Sequence, residues 1–495
     1  MKNTKKAVLF LLTAALTASF SSCGGEASTP ADTSGEGTEA IQYETAEAIE
    51  TDAAGEARVY PDLPEQTFGG REFSVLQFEG KSVHTFFEYD AESLNGELMN
   101  DAVYERNARI EEQFDVVITA KNSTAPAKDA QRMVMSGDCP YSVIADRPTD
   151  LSATSAQGIY ANIDELPYID LSKPWWSASA NEAFRLGGKL FFMTGDYVLF
   201  EKQRILMTFF NRQLAQNLDM PDMYQLVRDG KWTVEVMNNY AREARADLNG
   251  DGKIEITDDC FGLISGSNTY IPYMLFGCGN TFSVRNADGS YSLALSTERM
   301  ISSIEQLVVT LDADYTCYWE VISKHYDGAF HVFAEGRGLF FHEVLQGVSL
   351  IDTDIPYGVL PQPKYDESQE KYLTAVQYPY SGAIAVPATV DPEFTSLILE
   401  ALSADSRYTT LPTFVTDILS VKKAPDAEAS EMIALSFDNI VHDLFGAFQI
   451  GGVDTFMINN IYNGKSQKYM SSVASKEESI MKAYQKLLDK YAALE

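Results

Sequence analysis

Glu72-Phe73-Ser74-Val75-Leu76-Gln77-Phe78 reads as a strand, and the segments that follow it decide the fold. From Gly96 to Phe114 the apolar residues Leu98, Ala102, Val103, Ile110 and Phe114 recur at helical spacing. Val116-Val117-Ile118 is a second strand, residues 126–136 a second helical stretch, and Tyr141-Ser142-Val143-Ile144-Ala145 a third strand. Strand, helix, strand, helix, strand predicts an α/β layer, a parallel sheet with covering helices.

The same alternation resumes beyond residue 200. Thr233 offers an N-cap after Trp232, and Val234, Met237, Ala241 and Ala244 mark one apolar helical face. Gly338-Leu339-Phe340-Phe341-His342, Tyr357-Gly358-Val359-Leu360-Pro361 and Ser381–Pro387 read as further strands. Met470, Met481, Tyr484, Leu487, Leu488 and Tyr491 place one or two helices at the end of the chain. There is no internal repeat and no second membrane-length apolar run.

Residues 247–258, Asp-Leu-Asn-Gly-Asp-Gly-Lys-Ile-Glu-Ile-Thr-Asp, are the most chemically specific stretch. Asp247, Asn249 and Asp251 alternate, Gly252 supplies a sharp turn, and Asp258 closes the loop. A hard cation needs several oxygens converging from one loop. This spacing predicts one structural Ca2+ held by Asp247, Asn249, Asp251, the Lys253 carbonyl and Asp258, with Glu255 acting through water. The closing residue is Asp where the EF-hand pattern has Glu, and an Asx-rich turn without metal stays open as the alternative.

Lys2, Lys5 and Lys6 precede an apolar run from Ala7 to Ala18, which is the form of a secretory signal peptide over residues 1–22. The small residues before Cys23 resemble the lipobox of bacterial lipoproteins, with Phe20 where Leu is usual. Cys23 would then be acylated, and the protein held on the outer face of the cell membrane. Residues 23–67 open with Gly, Ser, Thr, Ala and Glu without apolar periodicity, which predicts a disordered acidic tether. The remaining chain is long enough for two substantial cores. A net charge of −33 argues against binding nucleic acid or anionic membrane through charge. Cys139, Cys260, Cys278 and Cys317 lack CxxC spacing, so zinc is not expected and any disulfide pairing is open.

Enzyme signatures fall short. His342-Glu343-Val344-Leu345-Gln346 lacks the second His of HExxH, and Ser420-Val421-Lys422-Lys423 stands without the partner motifs of an SxxK enzyme. Aromatic residues make up 12% of the chain, including four Trp, and rings of that kind stack on the flat faces of sugars. Taken singly, an aromatic is still more often core than ligand contact.

In order and spacing, Gly96–Asn107, Met135–Tyr141, Leu171–Trp176, Val227–Thr233, Phe333–Arg337 and Tyr357–Lys364 resemble the bacterial extracellular solute-binding proteins of family 1, the receptors of ABC importers. The resemblance spans residues 68–440 or so. It implies a two-lobed, periplasmic-binding-protein-like fold, each lobe a mainly parallel sheet with helices, joined by a hinge. The first lobe would comprise 68–200 and 382–430, the second 201–381 and 431–495, with crossings near Asp196–Arg204 and Tyr378–Gly382. It further implies a monomeric receptor that captures a sugar or oligosaccharide between the lobes and delivers it to ABC permease subunits. Open α/β sheets place ligands at the carboxyl ends of strands. On that geometry Asp146, Arg147, Asp196, His342 and Glu343 are the expected polar contacts, and Trp175, Trp176, Trp319, Tyr378 and Tyr380 the stacking candidates. A surface glycoside-processing enzyme and a calcium-stabilised adhesion or sensor protein are the competing readings.

Overall fold

The computed structural model describes residues 57–80, 88–317, 328–350, 353–420, 427–463 and 468–494. Its strands, in chain order, are β1 (Arg71–Phe78), β2 (Val116–Ser123), β3 (Val143–Asp146), β4 (Leu206–Asn211), β5 (Phe261–Ser265), β6 (Ser283–Arg285), β7 (Tyr291–Leu293), β8 (Thr316–Cys317), β9 (Gly338–Val344), β10 (Tyr357–Leu360), β11 (Thr374–Ala375), β12 (Ala383–Ala385) and β13 (Ile440–Val441).

The first large sheet has the order β12-β3-β1-β2. β1 runs parallel to both neighbours, with Phe73 opposite Ile118 and Val75 opposite Val143, and β12 joins antiparallel to β3. From Phe73 to Phe78 every residue of β1 is buried. A central strand covered on both faces is buried along its length, and here only Ser74 and Gln77 interrupt the apolar run. The helix Leu98–Phe114 turns Val103, Ile110 and Phe114 inward, the spacing read from the sequence.

The second large sheet has the order β10-β4-β9-β5-β8. Here the expectation of a mainly parallel lobe needs correction. β5 is parallel to β8 and β9, but β4 is antiparallel to β9, and β10 antiparallel to β4. β4 is the first strand of its sheet in the chain, reached from β3 through helices, so no strand–helix–strand crossover within its own sheet obliges it to run parallel.

The helix Val234–Ala244 covers this sheet with Val234, Met237, Ala241 and Ala244, and Thr233 Oγ1 caps its start by accepting from Val236 N. It lies so close to β5 that a Cβ on Gly262 would fall 1.8 Å from the Ala241 carbonyl oxygen. Only glycine permits that approach. Trp232 is wholly buried, with its indole N–H donating to the Pro361 carbonyl at 3.0 Å.

The chain passes between the sheets along two segments that lie side by side. Met193 pairs antiparallel with Ile384 and Ile205 with Val376, and Gln377 N donates to the Arg204 carbonyl at 3.0 Å. The final helix, Tyr469–Ala492, reaches back to the region of the first sheet. Its Tyr491 bonds Ser155 and packs 5.2 Å from the Phe191 ring. Held structure begins earlier than the tether expected over 23–67. Arg58 pairs with Asp405 at 3.4 Å and Val59 N donates to Tyr408 Oη at 2.8 Å, because Arg58 also lies over the Tyr408 ring. The expected signal peptide and Cys23 lie outside the described residues. Among the described residues no helix is long and apolar enough to cross a membrane, and Cys139, Cys260, Cys278 and Cys317 are free thiols.

Candidate ligand site

The carboxyl ends of β1, β3 and β9 and the two crossings carry several buried polar groups. On the first sheet, Gln77 Nε2 donates to Asn122 Oδ1 at 2.7 Å while Gln77 Oε1 stays buried without a partner among the described residues. Arg147 lies 4.6 Å over the Phe78 ring and pairs with Asp150 at 2.6 Å. On the second sheet, Glu343 Oε1 accepts from the Tyr270 hydroxyl and from Val344 N. Gly266 and Gly347 leave room for this carboxyl, since a Cβ at either would come within 2.2 Å of the Glu343 side chain. Burial pushes the Glu343 carboxyl up to about 7, against the pull of Tyr270, Val344 N and Arg204.

Arg204, at the end of the first crossing, lies 5.0 Å over the Phe200 ring. Burial pulls its pKa down and the neighbouring Tyr270, Glu343 and Tyr380 oppose that pull. From the second crossing, Gln377 Nε2 donates to Thr269 Oγ1 at 2.7 Å. Gln346 Oε1 is buried here without a partner among the described residues, whereas Ser265, paired with His342 in the register of β5 and β9, faces the other side of the sheet. Buried polar atoms are nearly always satisfied, so such groups gathered at strand ends fit a ligand with many hydroxyls. Amides and hydroxyls both donate and accept, which suits neutral alcohols.

The residues nominated from the sequence divide. Glu343, Arg147 and Tyr380 stand at this locus, Tyr380 close enough to Arg204 to act on its charge. His342 does not, because adjacent strand residues face opposite ways. Its Nε2 meets Thr208 Oγ1 at 3.0 Å on the other face, and burial lowers its pKa to about 4. Asp146 is taken up structurally: it is buried and accepts from Ala127 N, in the first turn of the helix Pro126–Ser136, and from Arg147 N. Trp175 is core, with no exposed surface and its indole N–H donating to Glu400 Oε1 at 3.1 Å. Tyr378 is core too, packed against Tyr273, Phe184 and His442, with its hydroxyl accepting from Asp443 N. Trp176 and Asp196 border a separate cavity. Trp319 lies outside the described residues. Gln77, Arg204, Tyr270, Thr269, Gln346 and Gln377 were missed. Arg204 alone had a signal, its place at the end of the expected crossing Asp196–Arg204.

In the loop 247–258 the wrapping is the expected one at its start. Asp247 accepts from Gly250 N and Gly252 N, Asn249 from Asp251 N, and Asp251 from Lys253 N. The closure is not. Asp258 bonds Thr257 Oγ1, and it is Asp259 that ties the loop, accepting from Leu248 N and Glu255 N. Among the described residues no three acidic, His or Cys side chains converge as metal ligands. The loop thus wraps as expected over Asp247–Asp251 and is tied shut by Asp259 rather than Asp258.

No protein-family model matches this sequence, and no curated protein matches it. Solved structures do match in fold. The chain is similar to a cyclo/maltodextrin-binding protein complexed with maltotetraose, at 13% identity and a TM-score of 0.56, covering 84% of this chain and 97% of that one. It is similar to an ABC substrate-binding protein from Listeria monocytogenes in complex with cycloalternan, at 14% identity and a TM-score of 0.50, covering 86% and 100%. The GacH receptor of Streptomyces glaucescens GLA.O, solved unliganded and with acarbose, is similar at 13% identity and a TM-score of 0.52, covering 85% and 99%. At these identities the likeness is one of fold.

Proposed function

We propose that the protein is a binding receptor rather than an enzyme, that it captures a neutral oligosaccharide between its two lobes, and that it hands the sugar to an ABC importer. The observation that carries this reading is the set of buried polar groups at strand ends and crossings, Thr269, Glu343, Gln346 and Gln377 on the side of the second sheet and Gln77 on the first. Support comes from the fold, which is that of receptors solved with maltotetraose, cycloalternan and acarbose. A thermal-shift screen against neutral oligosaccharides, maltotetraose and cycloalternan included, tests it. A ligand at one hundred times its Kd adds about 2.7 kcal/mol to stability, a shift easily read. Gln377→Ala is expected to weaken the best ligand about tenfold with an unchanged melting temperature, the loss of one charge-free hydrogen bond. If no oligosaccharide shifts the wild type, the reading fails.

The receptor is further proposed to be anchored through acylated Cys23 on the outer face of the membrane, on the support of the lysines and apolar run before it. Cys23→Ala should then leave the membrane fraction or remain unprocessed, and equal fractionation with the wild type would refute the anchor. Loop 247–258 is proposed as a structural Ca2+ site through Asp247, Asn249 and Asp251, supported by their alternation and wrapped backbone.

A further inference from the structure

A cavity of about 370 Å³ opens beside the first crossing, lined by its Asp196 and Lys202 but not by Arg204. Its walls include Trp176, Asp196, Lys202, Arg407, Leu411 and Phe437. Asp196 and Lys202 are buried. The volume sits at the lower end of the range of small-molecule sites. Arg204 and Lys202 lie two residues apart but serve different surroundings. Arg204 lies over Phe200 toward Tyr270 and Glu343, while the Lys202 ammonium is 5.8 Å from the Phe437 ring.

The buried charges around this cavity cancel in pairs, and the one further charge in its lining, Asp438, is exposed to solvent. Asp196 Oδ2 accepts from Arg407 Nη1 at 3.1 Å, and Glu201 Oε2 from Lys202 Nζ at 3.1 Å. An ammonium has three donors, and among the described residues Lys202 spends one on Glu201. A charged ligand would unbalance two buried ion pairs, at heavy cost. A neutral hydroxyl can bond to either partner of a pair and leave both intact, and it gains from the charge-assisted geometry. The aromatic wall of Trp176 and Phe437 offers a flat apolar surface beside those polar groups. We propose that this cavity is a second ligand site, separate from the strand-end cleft, taking a single neutral hydroxylated ring such as a monosaccharide or cyclic polyol.

Calorimetric titration of the mature protein with glucose, galactose, mannose, xylose and inositol, and with glucuronate as the charged control, tests the assignment. Ala434→Trp and Ala178→Trp would each add bulk to the cavity's lining, and both residues are exposed and outside the ion pairs. At least one neutral ring is expected to bind the wild type. Its affinity should fall about tenfold or more in both Trp variants, with melting temperatures kept, and stay unchanged in Gln377→Ala. Glucuronate should bind more weakly than glucose. The proposal is overturned if no neutral ring binds the wild type, if folded Trp variants bind as it does, or if Gln377→Ala alone abolishes binding. The last outcome would place all sugar binding in the cleft, so failure here leaves the oligosaccharide reading standing on its own test.

Discussion

Glu400 is a single carboxyl holding two neighbouring indoles, accepting from Trp175 at 3.1 Å and from Trp176 at 2.8 Å. Burial pushes its pKa up to about 7, and the two indole N–H groups pull the other way. Glu400→Ala would leave both donors buried and unsatisfied, a cost of about 1–3 kcal/mol for each. Urea denaturation followed by tryptophan fluorescence should show that loss, and Glu400→Gln, which keeps one acceptor, should lose less. A Glu400→Ala variant as stable as the wild type would mean that the indoles find other partners. The sequence could place a Trp pair after a Pro but not its acceptor, which lies 224 residues further along the chain. The same blindness explains His342 and Glu343. Their adjacency suggests a shared site, whereas the pleat of β9 sends them to opposite faces.

Among elements, those built from local pattern were legible. β1, β2 and β3 announce themselves as apolar runs, and the helices Leu98–Phe114 and Val234–Ala244 as periodic faces with a usable cap. β8 is two residues long, and β4 follows the short helix Leu199–Gln203 after only two residues, so neither has a boundary that periodicity can mark. The site was legible only in part because its members, Arg204, Tyr270 and Gln377, come from crossings and turns whose side-chain directions no repeat fixes. The acidic loop lies between these cases. Its residues 247–251 follow the spacing rule, while Asp259, one position past the expected closure, ties it shut. Calcium is expected to raise the melting temperature and EGTA to reverse the rise. Asp251→Asn should blunt the effect, and a melting temperature indifferent to both calcium and EGTA would leave the loop as a turn closed by Asp259 alone.

At the scale of the whole molecule, burial of acids outweighs their pairing. Burial raises Asp146, Glu343, Glu400 and Asp454 to about 7 and Asp443 to about 6. A carboxyl raised in the folded state binds more protons there than when unfolded. Its contribution to stability is full below the unfolded value of about 4 and is lost as pH rises through the folded value. His342 and His442, lowered by burial to about 4 and about 3, act oppositely, but only below their unfolded value of about 6.5. From pH 8 to about 6.5 the acids therefore act alone, and acidification also relieves the repulsion of a net charge of −33. The melting temperature should rise across that window at constant ionic strength. A flat or falling profile would show these carboxyls ionised in the folded protein. The buried acids also make unfolding a source of protons for the surrounding buffer. Near neutral pH, the apparent heat of unfolding should be smaller in imidazole, whose protonation is strongly exothermic, than in phosphate, whose protonation is nearly athermal.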